Sequence, residues 1–530
     1  MTKRPDTIPQ LADRAASAAP DDVGYFWDGS VITYRTIAEQ SRRIAQGLLN
    51  AGISAGDHVA MWLPNAPLFM PIFLACARIG APVMLVNTRL SGREVGDVLR
   101  RSDSRALVMW PDHPGSAFRS TLAQIDPGDL AGVRLFIELG GAPAGAHKMV
   151  AIDDLLSSAP LPPRAVSPDQ AALLYSTSGS TGPSKLVVHT QGEIAVHSQD
   201  IVARFGYDAA DTVHLLMLPL AGAYGMTQAL AAITSQKPGV LLEKFEAGPV
   251  YDAIRRYKVT GFCVFDEIII KLLEHSDDER PFPSLKFCGF GIFNPGYPDF
   301  AGKCERRGIR LLGIYGSSET QAFFVTQKID ASFEDRMRDG GFPVSAEGRV
   351  RIRNIETGEL APTGESGEIE VFGPSCMKRY YNNPRATAAQ VLADGFYRTG
   401  DSGRILADGS VLYEGRIDDV LRLSGYMVPT AEIEAVMLKC AGVRDVKVVG
   451  LMTEAGARPV AFVQAEAGVS VETLRAACAA NLAKFKAPIA YHFVEEFPLV
   501  MSLNAPKTDK KKLKAMAEEL YKAAHARALL

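Results

Sequence analysis

One segment of the chain combines glycines, hydroxyl side chains and a lysine in the way that a polyphosphate-binding loop requires. Ala171–Tyr175 is a short apolar run that predicts a buried strand. Residues 176–185 follow with the sequence STSGSTGPSK. Gly179 and Gly182 allow the backbone to turn its N–H groups toward an anion, and Lys185 adds a mobile positive charge. We therefore predict that this segment holds a polyphosphate.

The spacing differs from that of the phosphate loop of the common nucleotide hydrolases. That loop has about four residues between its glycines and is followed by a helix. Here two residues separate Gly179 from Gly182, and the residues after Lys185, Leu-Val-Val, favour a strand. A solvated Ser/Gly linker is the alternative interpretation, but the apolar runs that flank the segment disfavour it. The segment is predicted to be a loop between two strands.

The run YSTSGSTGPSKLVVHT resembles the signature loop of the adenylate-forming superfamily. Its members are acyl- and aryl-CoA synthetases, adenylation domains of peptide synthetases and firefly-type luciferases. Their usual pattern is Thr-Ser-Gly-Ser/Thr-Thr-Gly-x-Pro-Lys-Gly, and this chain departs from it at Ser184 and Leu186. The resemblance implies that the ATP phosphates contact the following residues: Thr177, Ser178, Gly179, Ser180, Thr181, Gly182 and Lys185.

A second segment, LLGIYGSSET, resembles the Tyr-Gly-x-Thr-Glu motif of the same superfamily. The resemblance implies that Tyr315, Gly316 and Ser317 contact the nucleotide. It also implies that Ser318 contributes a hydroxyl to the α-phosphate or the acyl carbonyl. Glu319 is the expected ligand of Mg²⁺, which prefers oxygen atoms.

Three further motifs follow in the order that the superfamily has them. They are GESGEIEVFGPS at 364–375, YYNNP at 380–384 and GFYRTGD at 395–401. The resemblance implies that Asp401 accepts hydrogen bonds from both ribose hydroxyls, which suits a carboxylate because it is only an acceptor. Arg416 is expected to contact the ribose or a phosphate.

The segment around Asp418 is similar to the hinge of the superfamily, and it predicts two domains. Residues 1–417 would form an N-terminal adenylation domain with the ATP and acyl sites, and residues 418–530 a C-terminal mobile lid. After the hinge, LSGYMVPTAEIE resembles the loop that helps to form the coenzyme A tunnel in relatives. The residues expected on the coenzyme A side are Ser424, Gly425 and Tyr426.

The segment NAPKTDKKKL near the C-terminus resembles Gly-Lys-x-Asp-Lys-Lys-x-Leu, and this makes Lys507 the expected adenylation lysine. Pro506 stands where relatives have glycine. Lys510, Lys511 and Lys512 lie close by and remain alternatives, because some of these lysines belong to a solvated basic helix start.

The acyl pocket is where the chain departs most from its relatives. Relatives commonly have Leu-Pro-x-aromatic-His at a position where this chain has Ala221 and Gly222. Small residues there would leave room for a large or bulky acyl group, although a small-residue turn without bearing on the substrate is the alternative. No Asp follows the proline, which weighs against an amino-acid substrate. The expected pocket residues are Ala221, Gly222, Tyr224, Phe265 and Gly291, with Gly291 and Ile292 also bordering the adenine.

Asp266 and Glu267 are a further departure in this region. Burying two carboxylates near a pocket costs several kcal/mol unless they are paired or protonated. We expect them to be partly exposed or to bind Arg or Lys.

The chain is long enough for several subdomains, with 530 residues, and its helical and strand patterns alternate in the N-terminal part. For example, Thr33 and Tyr34 open a helical pattern that Gly52 ends. This alternation predicts an α/β fold: a large multi-subdomain N-terminal region with parallel-rich sheets covered by helices. Residues 419–530 are expected to form a small mobile α+β domain.

Composition excludes several other classes of protein. A net charge of −3 gives no electrostatic argument for nucleic acid. The seven cysteines are scattered, which indicates reduced thiols and a cytoplasmic location. The sequence contains no stretch of about twenty apolar residues, so no transmembrane segment is predicted.

These observations predict an acyl-CoA synthetase that uses ATP, Mg²⁺ and coenzyme A to activate a carboxylic acid with an apolar or bulky body. One alternative is a stand-alone ligase that loads the phosphopantetheine of a carrier protein. The other is a degenerate, non-catalytic nucleotide-binding relative, which the substitutions at Ser184, Gly222, Asp266, Ile292 and Pro506 keep open.

Overall fold

The computed structural model describes residues 7–114, 116–140, 149–177, 184–291, 300–423, 426–453, 456–501 and 506–528. The chain divides into two compact units. The first unit comprises Met1–Gly291, Cys304–Arg349 and Val371–Tyr397. The second unit comprises Ile292–Lys303, Val350–Glu370 and Arg398–Leu530.

Helices occur throughout the chain and alternate with strands in its first half. The α-helices are Ile8–Ala18, Tyr34–Ala51, Phe69–Ile79, Gly92–Arg101, Phe118–Leu122, Ile152–Leu156, Gln191–Phe205, Ala223–Ser235, Ala247–Arg256, Asp266–Glu274, Phe300–Arg306, Phe333–Arg336, Pro384–Gln390, Thr430–Leu438, Val471–Asn481 and Lys510–Ala528. Short 3₁₀ turns are Ser318–Thr320, Ile417–Asp419 and Lys484–Lys486. Among the described residues, no helix combines the length and the apolar character that crossing a bilayer would need.

The first unit contains strands of two mainly parallel sheets. In one, the strands lie in the order Gly340–Pro343, Val325–Thr326, Leu311–Tyr315, Phe287–Gly291, Gly261–Phe265, His214–Leu216, Gly239–Leu241, Val23–Trp27 and Ser30–Thr33. In the other, the order is Arg379–Tyr380, Leu186–Thr190, Ala171–Ser176, Val83–Leu85, His58–Trp62, Ser104–Met109, Leu135–Glu138 and Met149–Ala151. Central strands are buried on both faces, as His58–Trp62 illustrates, which suits sheets covered by helices.

Local signals in the sequence explain where elements begin and end. The helix Tyr34–Ala51 starts where the Thr33 side chain accepts a hydrogen bond from the Thr36 N–H at 3.2 Å. It ends at Gly52, whose φ of 98° is in the left-handed region that glycine tolerates. Both ends agree with the prediction.

The second unit combines antiparallel strands with helices. Its four-stranded portion has the order Arg349–Arg353, Gly367–Phe372, Tyr397–Ile405 and Val411–Arg416. Arg349, Val371, Phe372 and Tyr397, at the ends of these strands, are assigned to the first unit. Further along lie the pairs Val420–Leu423 with Tyr426–Pro429 and Leu499–Met501 with Pro506–Thr508, and the three-stranded sheet Val443–Thr453, Gly456–Ala465 and Ala490–Phe493. The predicted α/β fold class is therefore confirmed, including the α+β character of the C-terminal part.

A buried ion pair fixes the N-terminal helix of the first unit. Asp13 accepts two hydrogen bonds from Arg78, at 2.8 and 3.0 Å, and one from Arg42 at 2.8 Å. Arg78 is only 6% exposed, and its Nε also donates to Ser41. Burial acts to raise the pKa of Asp13, but the hydrogen bonds and charges of the two arginines outweigh it and lower that pKa.

We predict that Asp13→Asn lowers the midpoint of thermal unfolding by about 3–6 °C at pH 7, because it leaves the buried Arg78 charge uncompensated. The folded-state pKa lies below the ordinary value of 3.8, so the carboxylate stabilises the fold above that pH. The difference between variant and wild type should therefore shrink as the pH falls through the folded pKa. Calorimetry at several pH values measures this. Asp21→Asn is the control, because Asp21 pairs with Arg35 in solvent, and an equal shift there would contradict the prediction.

Candidate active site

Two antiparallel strands close the base of the predicted phosphate loop. Ala171–Ser176 pairs with Leu186–Thr190, so the loop does lie between two strands. The Thr177 N–H donates to the Lys185 carbonyl at 2.8 Å, and the Lys185 N–H donates to Thr177 Oγ1 at 3.3 Å. Lys185 is thereby fixed at the point where the chain re-enters the sheet. The loop residues Ser178, Gly179, Ser180, Thr181 and Gly182 lie outside the described residues.

Ser184, which stands where relatives have proline, takes part in the closure of the loop. Ser176 Oγ donates to Ser184 Oγ at 2.9 Å, and Arg101 Nη2 donates to the Ser184 carbonyl. A proline could make the second of these contacts but not the first, because it has no hydroxyl. This departure from the family pattern therefore keeps a local hydrogen bond at the loop base.

The motif that contains Glu319 forms a tight turn. The Ser317 carbonyl accepts from the N–H groups of Thr320 at 3.1 Å and Ala322 at 2.7 Å. A Cβ on Gly316 would lie 2.2 Å from the Ala322 carbonyl oxygen, so this position requires glycine. Tyr315 ends the strand before the turn, and Ser318 begins the 3₁₀ turn itself.

Glu319 and Lys185 meet at the same two side chains, Tyr380 and Gln390. The Tyr380 hydroxyl lies 2.9 Å from Glu319 Oε1 and also contacts Gln390 Oε1. Lys185 Nζ donates to Gln390 Oε1 at 3.1 Å and lies 4.7 Å from the centroid of the Tyr380 ring. The predicted phosphate cation and the predicted metal ligand are thus brought together. Burial, followed by the negative charge of Glu319, raises the pKa of the neighbouring Tyr397 well above its usual value.

The residues after Glu319 adopt a left-handed backbone that non-glycine residues rarely use. Gln321 has a φ of 56° and Ala322 a φ of 70°. The Gln321 carbonyl accepts from Thr227 Oγ1 at 2.9 Å and lies 3.3 Å from His197 Nε2. Burial lowers the pKa of His197 to about 3, so its ring is neutral and donates to this carbonyl through an Nε2 hydrogen.

A second buried histidine contacts the same turn. His189 is fully buried, and its Nε2 lies 2.8 Å from the Ser318 carbonyl. Its Nδ1 lies 3.5 Å from Glu193 Oε2. His189 and His197 together hold the backbone on either side of Glu319.

The predicted ribose site lies in the second unit and consists of a paired carboxylate and guanidinium. Arg416 Nη1 donates to Asp401 Oδ1 at 2.7 Å. The two residues are partners in adjacent antiparallel strands, and Asp401 is 4% exposed whereas the Arg416 side chain is 49% exposed. The Asp401 N–H donates to Thr399 Oγ1 at 3.0 Å, which fixes the backbone of the carboxylate.

The C-terminal lysines differ in their surroundings. Lys507 lies in the strand Pro506–Thr508 and pairs with Val500. Lys510 instead forms ion pairs within the second unit, with Asp419 at 3.1 Å and Glu434 at 3.7 Å. These contacts give Lys510 a structural task and disfavour it as the adenylation lysine.

The predicted hinge and coenzyme A residues adjoin two short strands of the second unit. Asp418 lies in the 3₁₀ turn Ile417–Asp419, and Tyr426 begins the strand Tyr426–Pro429. Ser424 and Gly425 lie outside the described residues.

A buried amide positions the segment that carries Ala221 and Gly222. Asn65 is 3% exposed, and its Nδ2 donates to the carbonyls of Leu218 and Leu242, both at 3.0 Å. Its Oδ1 accepts from the Leu220 N–H at 2.8 Å. Ala221 is 5% exposed, and Gly222 is the residue before the helix Ala223–Ser235.

Aromatic side chains gather beside this segment. The ring centroid of Tyr224 lies 5.2 Å from that of Phe265 and 5.1 Å from that of Phe323. Gly291 ends the neighbouring strand, next to Phe265 in register, and Ile292 lies outside the described residues. The aromatic cluster makes the surroundings of the predicted acyl-pocket residues apolar.

The two unusual acidic residues behave differently from each other. Glu267 is exposed and forms an ion pair with Lys271 at 2.6 Å, as expected. Asp266 is only 2% exposed, and it accepts a hydrogen bond from the Glu267 N–H at 2.9 Å at the start of the helix Asp266–Glu274. The N-terminal end of a helix stabilises a negative charge, which offsets part of the cost of this burial.

Family models match most of the chain. A model described as "AMP-binding enzyme" matches residues 12–381, and one described as "AMP-binding enzyme C-terminal domain" matches residues 432–502. The chain belongs to the AMP-binding enzyme family. This confirms the resemblance to adenylate-forming enzymes that the motifs indicated.

The chain is similar to several CoA ligases. The chain is 29% identical over 496 residues to a sulfoacetate–CoA ligase of Cupriavidus necator, covering 92% of both chains. It is 28% identical over 500 residues to a 2-succinylbenzoate–CoA ligase of Bacillus velezensis, covering 94% of this chain and 96% of the relative. It is 29% identical to a feruloyl-CoA synthase of an Amycolatopsis species, covering 92% and 94%.

Solved structures share the fold. The o-succinylbenzoate CoA synthetase of Bacillus subtilis, in complex with its acyl-adenylate intermediate, superposes with a TM-score of 0.80 at 24% identity over 96% of this chain and 98% of that one. ATP-bound MatB of Rhodopseudomonas palustris gives a TM-score of 0.82 at 23% identity over 97% and 99%.

Sequence reasoning missed the side chains that link and support the predicted ligands. Tyr380 lies in the YYNNP motif, but its contact with Glu319 could not be read from the motif. His189 lies within the run that resembles the signature loop, but its contact with the Ser318 carbonyl could not be read from that run. Gln390 and His197 stand outside the recognised patterns, and the hydrogen bonds of Asn65 were not predicted either. Their signal was only a polar residue within an otherwise apolar run, which is weak for a single sequence.

We predict that Gly316→Ala weakens ATP binding at least about tenfold, because the new methyl group would collide with the Ala322 carbonyl and displace the turn that carries Glu319. Isothermal titration calorimetry with ATP measures the affinity. Gly132→Ala is the control, since a Cβ there lies 3.6 Å from its nearest neighbour. Unchanged affinity in folded Gly316→Ala would show that the turn geometry does not matter for ATP.

Proposed function

We propose that this protein activates a carboxylic acid with ATP through an acyl-adenylate and then transfers the acyl group to the thiol of coenzyme A. The observation that carries the proposal is the meeting of Lys185 and Glu319 at Tyr380, in a chain of the AMP-binding enzyme family. The named relatives support it, because they are CoA ligases.

In the first half-reaction, an oxygen of the substrate carboxylate forms a bond to the α-phosphorus of ATP. The bond from that phosphorus to the bridging oxygen of pyrophosphate breaks, and the electron pair leaves with pyrophosphate. A carboxylic acid with a pKa of about 4 is already ionised at neutral pH, so the step requires no general base. The barrier comes from bringing two anions together, and catalysis consists of positioning and charge compensation.

Lys185 is suited to the β- and γ-phosphates, because it is held at the base of the predicted phosphate loop. Lys507 would approach the α-phosphate and the attacking oxygen. Asp401 would accept hydrogen bonds from the ribose hydroxyls, with Arg416 beside it as a second contact for the nucleotide. Ser318, at the start of the turn, would donate to the α-phosphate or the acyl carbonyl.

Glu319 is chemically suited to Mg²⁺. It is 8% exposed and contributes carboxylate oxygens, and Mg²⁺ in nucleotide sites commonly binds one or two carboxylates together with phosphate oxygens and water. When bound, the ion would neutralise charge on the phosphates.

In the second half-reaction, the coenzyme A sulfur forms a bond to the acyl carbon, and the thiol proton is released to solvent. The bond between the acyl carbon and the phosphate oxygen breaks, and AMP leaves with the electron pair. Resemblance to the superfamily suggests that residues 418–530 turn about Asp418 between the two steps, which would move Lys507 away and bring Ser424, Gly425 and Tyr426 toward the thiol.

The proposed substrate is an acid with an apolar, bulky body. The cluster of Tyr224, Phe265 and Phe323 supports this class, together with the small side chains at Ala221 and Gly222. We place the reaction in the cytoplasm, since all seven cysteines are free thiols.

We predict that pyrophosphate release with ATP and Mg²⁺ requires one class within a panel of aliphatic, alicyclic and aromatic acids. Lys507→Ala should reduce the release by at least about a hundredfold, because it removes the cation at the α-phosphate. Lys511→Ala, a neighbouring exposed lysine, is the control and should keep its activity. No release from wild type with any acid, despite ATP binding, would favour the degenerate relative.

We also predict that Asp418→Pro spares adenylation and impairs thioester formation, because proline fixes φ and stiffens the hinge. Acyl-CoA formation and pyrophosphate exchange are measured separately. Equal loss of both would refute the hinge assignment. Wild-type adenylation without acyl-CoA would point to a carrier-protein acceptor.

A further inference from the structure

Tyr380 and Gln390 lie between the two side chains that the proposed function assigns to the ATP phosphates and to Mg²⁺. The Tyr380 hydroxyl contacts both Glu319 Oε1, at 2.9 Å, and Gln390 Oε1. Lys185 Nζ donates to the same Gln390 oxygen at 3.1 Å. The four side chains therefore form a continuous row from the cation to the carboxylate, all within the first unit.

The number of donors and acceptors in this row limits which hydrogen bonds can form at the same time. A tyrosine hydroxyl has one hydrogen and can donate it to one acceptor at a time. While the Lys185 ammonium donates to Gln390 Oε1, that oxygen already has a charged donor. The Tyr380 hydrogen is then best directed at the Glu319 carboxylate, because hydrogen bonds to charged acceptors are the stronger ones.

We propose that Tyr380 and Gln390 exchange one hydrogen bond and thereby couple triphosphate capture by Lys185 to the release of Glu319 for Mg²⁺. When the Lys185 ammonium moves to a phosphate oxygen, Gln390 Oε1 loses its charged donor. That oxygen is then a vacant acceptor, to which the Tyr380 hydroxyl turns its hydrogen when Glu319 gives its oxygens to the metal. Glu319 regains both oxygens for the metal, and no covalent bond changes. This inference rests on the proposed roles of Lys185 and Glu319.

The surroundings of Tyr380 give the exchange an energetic consequence. Tyr380 is 2% exposed and Glu319 is 8% exposed, so bulk water does not readily replace a lost hydrogen bond. The Tyr380 backbone is fixed, because it pairs with Val187 in the neighbouring strand and its N–H donates to Thr387 Oγ1 at 3.0 Å. With the ring held in place, the mobile parts are the hydroxyl hydrogen and the lysine side chain.

The next residue along the chain offers a matched control. The Tyr381 hydroxyl donates to Asp103 Oδ2 at 2.9 Å on the exposed side of the same strand pair. Tyr381→Phe removes one tyrosine hydroxyl bonded to one carboxylate, as Tyr380→Phe does, but away from Lys185 and Glu319.

The experiment titrates the full-length chain with a non-hydrolysable ATP analogue in a calorimeter at a series of Mg²⁺ concentrations. The quantity compared is the Mg²⁺ concentration that gives half of the metal-dependent gain in affinity. In Tyr380→Phe, Glu319 has lost this donor, so the required Mg²⁺ concentration should fall about fivefold. In Gln390→Leu, the hydroxyl has lost its alternative acceptor and stays on Glu319, so the requirement should rise about fivefold. Tyr381→Phe should stay within about twofold of wild type.

The opposite signs separate the exchange from a merely structural role. Loss of packing would raise the Mg²⁺ requirement in both variants, and this result, or no change in either, would overturn the inference. Circular dichroism checks that each variant folds. If Tyr380→Phe does not fold, a Mg²⁺ requirement that fails to rise in Gln390→Leu also overturns the inference. A wild-type chain that binds no analogue at any Mg²⁺ concentration would instead overturn the proposed function.

Discussion

The proposed site depends on one constraint: a buried carboxylate and a lysine must remain able to bind ligands while no ligand is bound. In a poorly screened interior, opposite charges attract strongly and would satisfy each other. Here a neutral tyrosine and a neutral amide stand between Glu319 and Lys185 and offer each charge a hydrogen-bond partner. Each charged group therefore has a neutral hydrogen-bond partner within the protein, as its proposed role in binding phosphate or metal requires.

The scaffold around this row keeps its members at fixed separations. Lys185 immediately precedes one strand of an antiparallel pair, and Tyr380 lies on the strand that pairs with it. Glu319 lies on a short turn whose following residues, Gln321 and Ala322, adopt a left-handed backbone. Such a conformation costs of order 1–3 kcal/mol per residue and persists where the surroundings determine it. Buried hydrogen bonds from Thr227 and His197 to the Gln321 carbonyl hold the backbone in this conformation.

The second unit contains the predicted ribose-binding pair and the C-terminal lysines. Asp401 and Arg416 are fixed by the register of two adjacent strands, so their pairing is a property of the sheet. Among the C-terminal lysines, Lys510 is engaged by Asp419 and Glu434 next to the predicted hinge. The basic cluster therefore contains at least one lysine, Lys510, with a structural task.

The sequence by itself determined the family, the fold class and the segments that are predicted to carry the chemistry. The turn with Glu319 and the motif with Asp401 are contiguous in sequence, and a contiguous motif encodes its own backbone geometry through glycines, hydroxyls and charges. Helix ends such as Thr33 and Gly52 could also be predicted, because helix capping depends on neighbouring residues. The roles of the individual site residues remain predictions from these motifs.

Tertiary structure alone decided which side chains hold those segments together. Tyr380 lies 61 residues from Glu319, and Gln390 lies 205 residues from Lys185, so no local pattern could pair them. Other features likewise depend on elements that are adjacent in space but distant in sequence. They are the burial of Asp266 at a helix start, the hydrogen bonds of Asn65 to the segment near Leu218, and the contact of His189 with the Ser318 carbonyl. Long-range hydrogen bonds of single polar residues leave no periodic signal, because each is specified by the packing of whole elements.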